Sequence, residues 1–208
     1  MSLYINTLDE IKADLGIGDT TDDAVLTRWL EGLQGRIASH CGRAFLEESG
    51  RVEIFDGGYT SLLVHAWPIE SVSGIVIAAD QDWTDADSAL DSDDYLVNYR
   101  RGAILYGRGT SRWPGGRQLI RVTYTGGLVA ADGTAASSYV ETRHLQALKR
   151  AFMMQGEFEW RQRTTLGLSQ ISMAGASIQQ GPQVTLALKG TTLVPEVQTT
   201  LHPLMRII

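Results

Sequence analysis

Leu8, Ile11 and Leu15 recur at helical spacing near the start of the chain, behind Thr7 and with Glu10 three residues after it. Thr and Glu at that spacing satisfy each other's free backbone N–H groups, as in a capping box. Gly16 can then end the helix in the left-handed conformation. A helix is expected near 7–15. Residues Asp19–Asp23 read as a turn that places negative charge at the start of a second helix, near 22–41, where it favours the dipole. Leu26, Trp29, Leu30, Leu33 and Ile37 form the apolar stripe of that helix, and Gly32, Gly35 and Ser39 a stripe of small residues. Each Gly costs about 1 kcal/mol in a helix interior relative to Ala, so two of them suggest close approach of another backbone.

From Val52 the period changes to two. Val52–Phe55 and Ser61–Val64 flank Asp56-Gly57-Gly58 and read as a hairpin. Trp67-Pro68-Ile69 leads into a strand through Val72 and Ile75–Ile77. Tyr95–Asn98 and Ala103–Leu105 flank Arg100-Arg101-Gly102 as a second hairpin. Leu119–Thr125 alternates after the turn at Trp113–Gly116. About six short strands are enough for a small antiparallel sheet or sandwich.

Ala130–Ser138 reads as a linker by its small, polar composition. Ser138, with Glu141 three residues on, is expected to cap a third helix near 139–160 whose core face is Leu145, Leu148, Ala151, Phe152 and Phe158. Residues 164–193 carry no helical period; Ile171–Met173 and Val184–Leu188 could pair there. Pro195 suits the first position of a last helix, near 195–202, with Pro203 disturbing its end. The expectation is an α+β fold: a small bundle of about four helices with an inserted antiparallel β subdomain. Its parts are a helical hairpin at 1–50, the β insert at 51–127, the third helix at 128–163, and an extended segment with the C-terminal helix at 164–208.

The 208-residue chain carries a net charge of −6, spread unevenly. Residues 1–50 hold four basic and nine acidic side chains, residues 51–127 seven and ten, and residues 128–208 seven and five. Such a chain is poorly suited to gripping DNA phosphates, which calls for clustered Lys and Arg. No apolar run approaches the roughly 20 residues of a membrane helix, and Met1-Ser-Leu-Tyr does not open a signal peptide. The single Cys41 excludes an intrachain disulfide and fits a reducing compartment.

Catalytic and metal chemistry finds little support. The acidic run Asp80, Asp82, Asp85, Asp87, Asp91, Asp93 and Asp94 departs from a calcium loop: Asp85 replaces the turn Gly and Asp91 the terminal Glu. It is expected to be a solvated loop. His40 and Cys41 are neighbours on a helix, so their side chains diverge and form no dyad. One Cys with four scattered His offers no zinc spacing. No Walker A run or Gly-x-Ser-x-Gly elbow occurs. The expectation is a chain without catalytic residues, metal or cofactor. The five Trp residues are assigned to core or subunit-interface packing. Arg161 and Arg163 give the end of the third helix a basic tendency and are candidates for a face near DNA.

Thr7-Leu-Asp-Glu-Ile-Lys-Ala-Asp-Leu15, Asp22-Asp23-Ala-Val-Leu26 and Arg36-Ile-Ala-Ser-His-Cys-Gly-Arg43 resemble the opening of tailed-bacteriophage head–tail connector (adaptor, or head-completion) proteins. Trp67-Pro-Ile-Glu-Ser-Val72, Asp94-Tyr-Leu-Val97, Gly102-Ala-Ile-Leu105 and Arg121-Val-Thr-Tyr-Thr-Gly-Gly127 resemble that family's insert. Leu193-Val-Pro-Glu-Val197 resembles its C-terminal helix start. The resemblance implies a non-enzymatic structural subunit, made in the host cytoplasm and placed at the virion head–tail junction. It implies a ring of about twelve copies under the portal, partnered by the portal protein and by a tail or head-completion protein, with DNA passing through unbound. Segment 164–208 would then be the assembly arm, and Leu193, Val194, Val197, Leu201 and Leu204 its apolar interface, an edge with little local cover. Two other classes stay open: a ligand- or carbohydrate-binding β module of a tail component, and a phage-encoded enzyme.

Overall fold

The computed structural model describes residues 5–78, 89–107, 109, 111–162, 170–173, 176–179 and 193–205. The fold is α+β. Four α-helices are described: α1 (Leu8–Leu15), α2 (Asp23–Cys41), α3 (Thr142–Gln162) and α4 (Pro195–Leu201). The strands are β1 (Glu48–Phe55), β2 (Ser61–Leu63), β3 (Ile69–Ile77), β4 (Tyr95–Asn98), β5 (Ala103–Tyr106), β6 (Ile120–Gly126), β7 (Gln170–Met173) and β8 (Ala176–Gln179). The chain divides into two compact units. One spans 43–142; the other joins the helices on either side of it in sequence, 5–42 and 143–205.

In the helical unit the terminal signals act as their chemistry requires. Thr7 Oγ1 accepts from the Glu10 N–H at 3.2 Å, and Glu10 Oε2 accepts from the Thr7 N–H at 2.9 Å. Burial pushes the Glu10 carboxyl up, but the Thr7 N–H and the Lys149 cation outweigh it and hold the carboxyl below its usual range. Gly16 (φ 71°) and Gly42 (φ 64°) close α1 and α2 in the left-handed conformation. Lys12 Nζ reaches Asp23 Oδ1 at 2.6 Å, tying α1 to the start of α2. Leu26, Leu30, Leu33 and Ile37 are fully buried along one side of α2. Burying each contributes about 1.5–3 kcal/mol. The expected close approach at Gly32 and Gly35 is not found: a Cβ at either would meet nothing within 4 Å. The close approach lies on α3, where a Cβ at Gly156 would stand 3.2 Å from the Trp29 ring.

The β unit holds two three-stranded antiparallel sheets, β1-β6-β3 and β2-β5-β4. Leu62, Ile75, Ile104, Trp113, Ile120, Val122 and Tyr124 pack together in its core. The β4–β5 hairpin forms as the pattern implies, with Tyr95 opposite Tyr106 and Asn98 opposite Ala103. The expected β1–β2 hairpin is corrected: β1 pairs with β6 and β2 with β5. The turn between them is held from outside. Gly57 and Gly58 donate to the Gly116 and Trp113 carbonyls, and Asp56 accepts from the Gln118 N–H. Residues 56–58 therefore carry the chain from one sheet to the other.

Buried Arg43 lays its guanidinium 3.3 Å above the Trp67 ring and donates to the Trp67 carbonyl. Residues 130–138 do not form a free linker, because the Ala130 N–H donates to Thr134 and the Ala136 N–H to Leu128. Nor does Ser138 cap α3, which starts at Thr142. Tyr139 stacks on Tyr99 with centroids 4.9 Å apart, and Glu141 pairs with Arg100 at 3.4 Å, so these residues stay with the β unit. Ile171 pairs with Ile178 rather than within 184–188, which lies outside the described residues.

Candidate functional site

Of the sequence-derived site residues, Arg161 lies near the end of α3, and Leu193, Val194, Val197, Leu201 and Leu204 lie on or beside α4. Pro195 opens α4 and needs no N–H there. Leu201 ends it, and Pro203 turns the chain into a 3-10 turn at His202–Leu204. The Gln198 side chain donates to the Leu193 carbonyl at 2.8 Å, fastening α4 to the residue before it.

A buried polar chain sets the position of this segment. Gln155, fully buried on α3, accepts the Val194 N–H at 2.9 Å and donates to Glu159 Oε1 at 2.6 Å. Arg36 Nη2 on α2 donates to both Glu159 oxygens at 2.8 and 2.6 Å, and Trp29 Nε1 donates to Oε2 at 3.1 Å. One chain of hydrogen bonds thus joins α2, α3 and the start of α4. A buried amide left unpaired costs about 1–3 kcal/mol, so the chain specifies register as well as attraction.

Leu193, Val197, Leu201 and Leu204 are buried within this one protomer, and Val194 is half-buried. The expectation that little covers this edge locally is corrected: the helical unit covers it. An open groove of about 300 Å³ remains beside it, lined by Met154, Glu157, Phe158, Arg161, Val194, Glu196 and Val197. Three of the expected site residues, Arg161, Val194 and Val197, meet there. Arg161 is exposed and pairs with Glu157 at 2.6 Å. Arg163 lies outside the described residues. Gln155 was missed by sequence reasoning; its signal was a lone amide on the face carrying Leu148, Ala151 and Phe152.

The β unit holds an ionisable cluster around Glu53. Glu53 accepts from Tyr124 Oη at 2.6 Å, from Arg51 Nε at 2.7 Å and from the His65 N–H, with His65 Nδ1 at 3.0 Å. Burial pushes the Glu53 carboxyl up, yet these donors bring it below its usual range. Burial and the neighbouring Glu53 push the Tyr124 phenol well above its own. Both shifts lead away from neutral pH, so the pair is a structural hub and a poor general acid or base. Among the described residues no group of three or more His, Cys, Asp and Glu is placed to hold a metal ion. Asp91, Asp93 and Asp94 are exposed; Asp80, Asp82, Asp85 and Asp87 lie outside the described residues. Among the described residues no helix is long and apolar enough to cross a membrane.

No protein-family model matches the chain, and no curated protein does. Solved structures do. A chain in the neck of an empty gene transfer agent (GTA) particle, computed with C6 symmetry, matches with a TM-score of 0.50 at 16% identity, over 98% of this chain and 91% of that one. A chain in the virion of the native GTA particle gives 0.45 at 16% identity, over 93% of each chain. One in the native neck computed with C12 symmetry gives 0.43 at 17%, over 93% of this chain and 96% of that one. The first of these shares its fold with this chain over the stated coverage.

Proposed function

We propose that the protein is a structural connector subunit of the neck of a tailed phage or gene transfer particle. In this reading it forms a ring of about twelve copies below the portal, extends the DNA channel and offers a platform to the tail. The observation that carries the reading is a fold shared over 98% of the chain with a component of a particle neck. The order of motifs along the sequence supports it independently. A neck computed with six-fold symmetry is compatible with rings of six or twelve. The net charge of −6 fits a channel wall along which DNA slides without being held. Arg161 and Arg163 are the residues proposed to face that channel. Leu193, Val194, Val197, Leu201 and Leu204 root the arm in its own protomer, and the adjoining groove faces the neighbouring subunit or the portal. Cosynthesis with the portal protein of the same particle tests the reading. Co-purification as rings supports it; a portal recovered without this chain contradicts it.

A further inference from the structure

We infer that the groove between α3 and α4 receives the β7–β8 hairpin of an adjacent copy of this chain, an inference that rests on the ring reading above. Two features of the helical unit motivate it. The first is the groove: Met154, Phe158, Val194 and Val197 give it an apolar floor, and Glu157 and Glu196 put carboxylates at its rim. Arg161 answers Glu157, whereas exposed Glu196 makes no ion pair with a described residue. The second is the hairpin. β7 and β8 pair with each other and with no other strand among the described residues. An isolated two-stranded hairpin is marginally stable in water and needs a surface to pack on.

Composition matches the two. The strands Gln-Ile-Ser-Met and Ala-Ser-Ile-Gln carry no charge, and their register sets Ile171 opposite Ile178. The stretch 164–192 contains Lys189 and no acidic residue, which suits a rim carrying carboxylates. A hairpin seated in the next copy's groove is a head-to-tail contact, the type that closes rings rather than pairs.

The test uses two full-length variants, Glu196→Cys at the rim and Ser172→Cys in the hairpin, the second carrying a size tag. Cys41 is buried and does not compete for the reagent. The variants are mixed under assembling conditions and treated with a short thiol-specific cross-linker, while sedimentation records the oligomer. Covalent heterodimers between the two variants are expected. In parallel, Met154→Asp should weaken assembly at least tenfold with the protomer's melting temperature unchanged. Rings without heterodimers overturn the inference and leave the neck reading standing. A protein that stays monomeric alone and with its portal overturns both.

Discussion

The fully buried side chain of Gln155 accepts the backbone N–H of Val194 at 2.9 Å, across 39 residues of sequence. That bond places the start of α4 against α3, and through Glu159 it reaches Arg36 on α2. Replacing Gln155 with Leu leaves the Val194 N–H without its partner and removes one donor to Glu159. The expected loss is about 1–3 kcal/mol, read as a lower denaturation midpoint for the helical unit. An unchanged midpoint would show that the amide is incidental.

Removing residues 194–208 should do more than detach an arm. Val197, Leu201 and Leu204 are fully buried, so their loss forfeits on the order of 5 kcal/mol of burial. That approaches the whole stability of a small unit. Circular dichroism of the truncated chain should show helical signal lost at a markedly lower temperature. Full retention of the wild-type melting curve would contradict the packing described for α4.

Glu47 carries a pH dependence. Burial, then the hydrogen bond and charge of Glu70, raise the Glu47 carboxyl above its usual range. A group whose folded pKa is raised adds stability below its unfolded pKa and loses it as pH rises through the folded value. Glu47→Gln should therefore raise the melting temperature at pH 7, with the gain vanishing as the pH is lowered below the carboxylate range. A gain that is the same at both ends would exclude the carboxyl pair as its source.

Gly57 faces a close approach that only glycine tolerates. A Cβ there would lie 1.6 Å from the Pro114 carbonyl oxygen. Gly57→Ala must displace the 113–116 loop, breaking the bonds by which that loop receives residues 57 and 58. Unfolding of the β unit should come earlier by more than 1 kcal/mol, in the range of overpacked sites. Gly115→Ala, with open space around it, is the control.

What the sequence made legible was local. Thr7, Glu10, Gly16 and Pro195 act within one helical turn, and each marks the boundary expected of it. The β4–β5 hairpin is also local. The misreadings share one cause, a non-local partner outcompeting a local signal. Gly57-Gly58 looked like a hairpin turn, but their N–H groups go to residues 113–116. Ser138 and Glu141 had capping-box spacing, but Glu141 is taken by Arg100 and Tyr139 by Tyr99. The stripe Val197, Leu201, Leu204 was visible as apolar, while its cover by the protomer's own fold was not. Gly32 and Gly35 suggested tight packing that occurs at Gly156. In the site itself, Val194, Val197 and Arg161 could be found from sequence, whereas Gln155 depends on contacts to positions 194 and 159 that no periodicity reveals.

The most direct test of the central claim is electron cryomicroscopy of the intact particle whose genes include this chain, with its neck reconstructed under imposed rotational symmetry. The account predicts a ring directly beneath the portal whose repeating density fits the two units described here. A neck fully explained by other chains, together with absence of this chain from the purified particles by mass spectrometry, would contradict it.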